Sequence, residues 1–138
     1  MTGVDYAEIR VEQRGPVRLL SVDRADRRNA LTTRTAGELE SALRGAADDP
    51  DTRAVVLAGV GEHFSAGGDV TAILDHIGSG DDRDLLALMR AFHRLVVEIW
   101  ESPLPVVAAP WRAIRTPTTW SPHLFGCPTK RSSSGARR

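Results

Sequence analysis

The chain has 138 residues, which sets one domain as the starting expectation, and its eighteen basic and eighteen acidic residues cancel to a formal charge of zero. That balance argues against bulk electrostatic binding to nucleic acid or to an anionic membrane surface. A single cysteine, Cys127, excludes an intrachain disulfide and a cysteine-based zinc site, and a hydrophobic content of 41% is ordinary for a globular protein. The N-terminal stretch carries Asp5 and Glu8 and no long apolar run. It does not read as a signal peptide, nothing reaches the length of a membrane span, and the expectation is a cytoplasmic protein with no membrane or nucleic-acid partner.

Tyr6 to Gln13 alternates, with Tyr6, Glu8 and Arg10 against Ala7, Ile9 and Val11, which predicts a strand with one wet face. Gly15-Pro16 signals a turn, and Val17 to Val22 resumes as a second strand, so the two form a hairpin. The charged, irregular DRADRRNALT follows. Thr32 or Thr33 can cap a helix over about Arg34 to Ala47, where Ala36, Leu39, Leu43 and Ala47 recur at helical spacing before DDPD stops it. RAVVLAG is an apolar run with no polar face and fits a strand buried on both sides in a parallel sheet.

HFSAGGDV comes next, and a short helix is expected from Asp69 to Ile77, broken by Gly78, Ser79 and Gly80. A second long helix should span Asp82 to Trp100, with Leu85, Leu88, Met89, Phe92, Leu95, Val96 and Ile99 lining one face. Pro103 and Pro105 end it, and PVVAA reads as the next buried strand. The order β-β-α-β-α-β places the chain in the α/β class. From Pro110 the composition changes: four of the eight prolines and two of the three tryptophans fall here, without one acidic residue and without hydrophobic periodicity. The expectation is a domain over residues 1–109 and an irregular basic Pro/Ser/Arg-rich tail over 110–138.

Chemistry concentrates in HFSAGGDV. A strand end followed by a helix start leaves backbone N–H groups without partners, and glycine lets a ligand approach them closely. Amides fixed in that way stabilise a developing negative charge, as on a thioester carbonyl becoming an enolate. The plainer alternative is a turn whose glycines serve only the path of the chain. Elsewhere the candidates are weak. His63 reads as a surface loop residue, and His76 and His93 lack partners at metal-ligand spacing. Glu98 and Glu101 flank Trp100 and read as a solvated helix face.

In series, DRADRRNALT ahead of a helix, RAVVLAG, HFSAGGDV, a second helix and SPLPVVAA resemble the N-terminal half of the crotonase family, the enoyl-CoA hydratases and isomerases, over residues 5–109. The resemblance implies a crotonase-like ββαβαβ partial fold, the first half of a spiral core. It implies an acyl-CoA or enoyl-CoA thioester as substrate, with CoA part of that substrate, no separate cofactor and no metal. Gly68 matches the residue that gives one of two oxyanion-hole amides. Ala66 and Asp69 match positions that contact the adenine end of CoA or shape the loop, and Gly67 and Val70 complete the same segment. Arg27, Arg28 and Ala30 match the loop that holds the nucleotide end, where a guanidinium suits a phosphate; a solvated charged loop is the alternative for the two arginines. Asn29 is expected to organise the loop through side-chain-to-backbone bonds.

The resemblance stops after PVVAA. Relatives continue with a Gly-rich segment that supplies the second oxyanion amide and, in the hydratases, one catalytic glutamate, with a second further along; here no glycine run follows and no glutamate occurs after Glu101. The remaining strands and the C-terminal helices that build trimers or hexamers are also missing. The tail resembles an out-of-frame translation of a GC-rich gene, since codons for Pro110 to Ala113 permit Val-Ala-Gly in another frame. The expectation is therefore a truncated or frameshifted family member, inactive as given. The alternative is a non-catalytic remnant that binds acyl-CoA or pairs with a full-length paralogue.

Overall fold

The computed structural model describes residues 5–71, 73–74 and 82–110. His76, the end of the short helix expected to reach Ile77, its Gly78–Gly80 stop and the tail from Trp111, with Cys127, lie outside the described residues. One four-stranded sheet runs in the order β1 (Ile9–Arg14), β2 (Val17–Val22), β3 (Ala54–Gly59) and β4 (Val106–Ala108). β1 and β2 form the expected antiparallel hairpin, with Arg14 opposite Val17 across a turn whose Gly15 takes φ 56°. β2, β3 and β4 are parallel, joined by α1 (Thr33–Ala47) and α2 (Asp82–Glu101) as crossover helices.

The register explains where the core sits. It aligns Ile9 with Val22, Leu20 with Val11 and Leu57, and Val55 with Val106 on one face. Ile9, Leu20, Val22 and Val55 from that face meet Ala36, Leu39, Leu43 and Ala46 of α1 and Ala91 and Leu95 of α2 in one buried cluster. Full burial of a leucine such as Leu20 or Leu43 contributes about 1.5–3 kcal/mol. α1 begins where its chemistry demands. Thr32 is the N-cap, its hydroxyl accepts from the Thr35 N–H at 3.1 Å, and the Thr35 hydroxyl accepts from the Thr32 N–H at 3.1 Å. The inward row of α1 ends on Ala46, fully buried, rather than on Ala47.

Three expectations are corrected. Both helices pack on the same face of the sheet, so β3 and β4 are not covered on both sides by described residues: Val107 is 54% exposed and Ala108 is exposed. Leu88, Ala91, Phe92, Leu95 and Ile99 of α2 turn to the core, but Met89 and Val96 do not, because each sits 100° around the helix from the inward residue before it. Glu98 is not a solvated group: its carboxylate accepts from Arg44 Nε at 2.8 Å and ties α2 to α1. Arg44 also pairs with Glu40 at 2.7 Å, and Arg94 approaches the same Glu40 at 3.4 Å. Glu101 is exposed, as expected. Among the described residues no helix is long and apolar enough to cross a membrane.

Candidate functional site

Two loops at the ends of β2 and β3 are stitched into one unit. The ladder between these strands continues past them, with the Val60 N–H donating to the Val22 carbonyl at 2.8 Å. Beyond it, a short 3-10 turn at Ala25–Arg27 leads into Arg28 and Asn29, both in the left-handed region at φ 51° and 54°. Successive left-handed residues are costly unless held. Asn29 is held by its own buried amide: Oδ1 accepts from the Arg24 N–H at 2.9 Å, and Nδ2 donates to the carbonyls of Val60 at 2.9 Å and His63 at 2.6 Å. Asn29 thus organises the loop, and His63 contributes its backbone while its side chain is exposed. Gly59 leaves room for this knot; a Cβ there would lie 2.2 Å from the His63 carbonyl oxygen.

The glycine segment is laid against the first loop. The Ala66 N–H donates to the Arg28 carbonyl at 3.0 Å, the Leu31 N–H to the Gly67 carbonyl at 2.7 Å, and the Asp69 N–H to the Leu31 carbonyl at 2.9 Å. Ser65 adds a clasp, its hydroxyl donating to the Asn29 carbonyl at 2.9 Å and accepting from the Gly67 N–H at 3.1 Å. Leu31 and Gly68 therefore form a one-residue parallel bridge. In that geometry the neighbours of Gly68 bond to Leu31, while the N–H of Gly68 itself points away from it. Among the described residues no acceptor meets the Gly68 N–H. Gly67 takes φ 88°, and the Gly68 Cα lies against Phe92 of α2, since a Cβ there would be 3.3 Å from the Phe92 ring.

The other candidates separate into surface and support. Arg27 and Arg28 are exposed on the rim of the first loop, Arg27 only 3.8 Å from the Asp26 carboxylate. Ala66, Gly67 and Val70 are exposed on the second. Ala30 is buried and its carbonyl accepts from Arg24, so it belongs to the framework of the loop. Asp69 is buried too, and its carboxylate accepts from the Thr71 N–H at 3.2 Å at the start of a helical turn and from Arg24 Nη2 at 3.1 Å. Both bonds hold the Asp69 side chain within the stitched loops.

Arg24 is the residue that sequence reasoning passes over. It sits in a run of charged residues, yet it follows the inward-facing Val22 by two positions, and period-two alternation sends it back toward the interior. Its guanidinium also approaches the Glu8 carboxylate, 3.6 Å away. Glu8 accepts from the Thr32 hydroxyl at 2.6 Å and from the Thr35 hydroxyl. Partial burial pushes the Glu8 carboxyl up, but the two hydroxyls and the charges of Arg24 and Arg34 outweigh it and hold the group below the usual glutamate value. Glu8 forms one wall of a cavity of about 390 Å³ between the first turns of α1 and α2, lined also by Arg34, Ala87 and Leu88.

Among the described residues, Glu98 does not stand ready as the acid or base of this site. Glu98 is bonded to Arg44, in the last turn of α1, whereas Gly68 is bridged to Leu31, just ahead of its first. Those ends of α1 are about 16 Å apart at 1.5 Å per residue. Among the described residues no group of three or more His, Cys, Asp or Glu could hold a metal ion.

Residues 12–110 match the profile of the enoyl-CoA hydratase/isomerase family. A protein named as a probable enoyl-CoA hydratase of Mycobacterium tuberculosis (strain H37Rv) is 37% identical over 93 residues, covering 67% of this chain and 35% of that protein. The 3-hydroxyisobutyryl-CoA hydrolase 1 of Arabidopsis thaliana is 34% identical over 77 residues, covering 56% of this chain and 20% of the hydrolase. Among solved structures, an enoyl-CoA hydratase/isomerase from Mycobacterium paratuberculosis superposes with a TM-score of 0.66 at 30% identity, over 79% of this chain and 43% of that one. The chain thus spans well under half the length of these relatives. The family match over both stitched loops and all but the first part of β1, with the crotonase-type arrangement of strands and helices, establishes that the chain belongs to the enoyl-CoA hydratase/isomerase family.

Proposed function

We propose that the chain carries the CoA-thioester half-site of an enoyl-CoA hydratase/isomerase and that, as given, it binds acyl-CoA without hydrating it. The observation that carries this reading is the Gly68 N–H, free among the described residues in a backbone held on both sides by bonds to Leu31. A thioester oxygen placed against it accepts one hydrogen bond, and that bond strengthens as the carbonyl gains enolate charge. Arg27 and Arg28, exposed on the adjoining loop, are assigned to the phosphates of CoA, while Ala30, Asn29 and Asp69 hold the two loops in register. Ala66, Gly67 and Val70 present the exposed edge along which the thioester lies. CoA is part of the substrate, and the reading requires no further cofactor. We place the protein in the cytoplasm.

Turnover is a separate matter. Hydration needs a base to activate water and an acid to protonate the α-carbon, each contributing roughly 100- to 10,000-fold. No Asp or Glu occurs after Glu101, and Glu98 is engaged with Arg44 at the far end of α1. A site working with one donor in place of two forfeits a further factor of about 100 to 1000. A second reading, pairing with a longer paralogue, is favoured by the apolar side of α2 that no described residue covers, where Val96 and Trp100 are exposed.

Calorimetry with butyryl-CoA, together with the loss of crotonyl-CoA enoyl absorbance, tests both parts. Saturable butyryl-CoA binding without turnover is expected. Absence of binding overturns the half-site, and saturable turnover overturns the inactivity.

A further inference from the structure

We propose that Arg24 is the positioning residue of this site, the group that fixes the direction of the Gly68 amide. The proposal rests on the CoA-thioester reading for its functional meaning, but its geometry stands independently. One half-buried guanidinium reaches three acceptors on three segments. Nη1 donates to the Ala30 carbonyl in the first loop, Nη2 donates to the Asp69 carboxylate in the second at 3.1 Å, and Nε lies 3.6 Å from the Glu8 carboxylate beside β1. The Arg24 backbone is also engaged, its N–H with the Asn29 side chain at 2.9 Å and its carbonyl with the Asn29 N–H at 2.8 Å. Arg24 is therefore bonded to both loops at once and leans on the strand that precedes them.

The need for such a tether follows from the glycines. Gly67 is left-handed and a Cβ on it would meet nothing within 4 Å, so the backbone ahead of Gly68 has little steric restraint. Restraint has to come from hydrogen bonds: the Gly67 carbonyl, in the same peptide plane as the Gly68 N–H, accepts from the Leu31 N–H at 2.7 Å, and on the other side Asp69 is the next residue. Its N–H is bonded to Leu31 at 2.9 Å, and its carboxylate is gripped by Arg24. Asp69 is thus held at backbone and side chain, and on the Gly67 side Arg24 bonds the Ala30 carbonyl, whose peptide plane carries the Leu31 N–H that holds the plane of the Gly68 amide. Lysine cannot reproduce this, because a single ammonium lacks the rigid fork that spans separate acceptors.

The test uses the whole chain and two readouts. The first is amide hydrogen exchange by NMR in the unliganded protein. Arg24→Gln is expected to accelerate exchange of the Leu31 and Asp69 N–H groups about tenfold, the equivalent of one lost charge-assisted hydrogen bond. The Val55 N–H, bonded to Pro105 at 2.9 Å beside the core, should keep its wild-type rate. Arg24→Lys should fall between the two, and it serves as the working variant if Arg24→Gln does not fold. Unchanged exchange at Leu31 and Asp69 overturns the proposal. So does equal acceleration at Val55, which would make Arg24 a general stabiliser.

The second readout is the absorbance of a conjugated dienoyl-CoA, which shifts to the red when its carbonyl is polarised. Wild-type protein should shift the band, and the Arg24 variant should bind the thioester with most of that shift lost. A shift of wild-type size in the variant overturns the proposal. If wild-type protein binds no dienoyl-CoA, the half-site reading fails, and the exchange rates alone decide whether Arg24 holds the loop.

Discussion

The stitched loops and the outer side of α2 finish the molecule in opposite ways. In the loops, polar groups close on one another: Asn29, Ser65, Arg24 and Asp69 use their side chains on backbone within reach, and no buried side-chain nitrogen or oxygen among the described residues lacks a partner. Along α2, Leu86, Met89, Val96 and Trp100 form an exposed apolar side, and Trp100 is 88% exposed. The polar groups of the loops close on described residues, whereas the flank of α2 is apolar surface that no described residue buries. Loop geometry can therefore be closed while a helix flank stays uncovered by described residues, because hydrogen bonds in a loop are satisfied by groups within reach and apolar burial needs a facing layer.

That contrast is most sharply broken at Gly59. Adding a Cβ drives it into the backbone oxygens of His63 and Phe64, 2.2 and 2.4 Å away, and backbone cannot step aside as a side-chain tip can. Gly59→Ala should cost about 3 kcal/mol, the upper end for overpacking, read as a fall in the urea midpoint. Asn29→Ala should come next. It strands the Val60 and His63 carbonyls and removes the brace on a left-handed residue, for a loss of about 2 kcal/mol. Trp100→Gln on the other region should stay within about 0.5 kcal/mol and reduce self-association in sedimentation. A Trp100 variant as unstable as the Asn29 variant would erase the difference between the two regions.

Acid should attack the loops from the β1 side. The folded-state value of Glu8 lies below its unfolded one, so its contribution is fully present above the ordinary glutamate value of about 4.3 and is lost as pH falls through it and below. Asp49 behaves alike: the Asp51 N–H and the Thr52 hydroxyl hold it below the usual aspartate value, outweighing the opposing push of desolvation. Stability measured from about pH 5 to about pH 3 should fall, and Glu8→Gln should flatten the slope. A small gain is expected at Gly45, in the last turn of α1, where an added Cβ would meet nothing within 4 Å. Gly45→Ala should raise stability by about 0.5–1 kcal/mol in a thermal melt.

What can be read in the sequence follows the same division. A threonine cap at 32 or 33, the hairpin, both long helices and the glycine segment are legible because each depends on residues close in sequence: a cap on the next turn, a strand on alternation, a turn on adjacent glycines. Asn29 is legible as a loop organiser for the same reason, although its partners at Val60 and His63 lie across the fold. Arg24 is hidden because its partners, Glu8 and Asp69, are distant in sequence and its neighbours are charged, so it resembles the solvated residues beside it. Met89 and Val96 are misplaced by periodicity because an apolar residue in an amphipathic helix is read as inward, while α2 is apolar on more than one side. Glu98 is misread because its partner Arg44 belongs to the other helix.

The most direct test of the half-site is the Gly68 amide itself. Isotope-labelled protein titrated with butyryl-CoA should show the Gly68 proton resonance moving downfield in a saturable way, as its N–H gains the thioester oxygen as acceptor, while the Gly45 resonance in α1 stays in place. Saturable binding that leaves Gly68 unmoved, or shifts confined to α2 and β4, would contradict the assignment of this loop as the oxyanion donor.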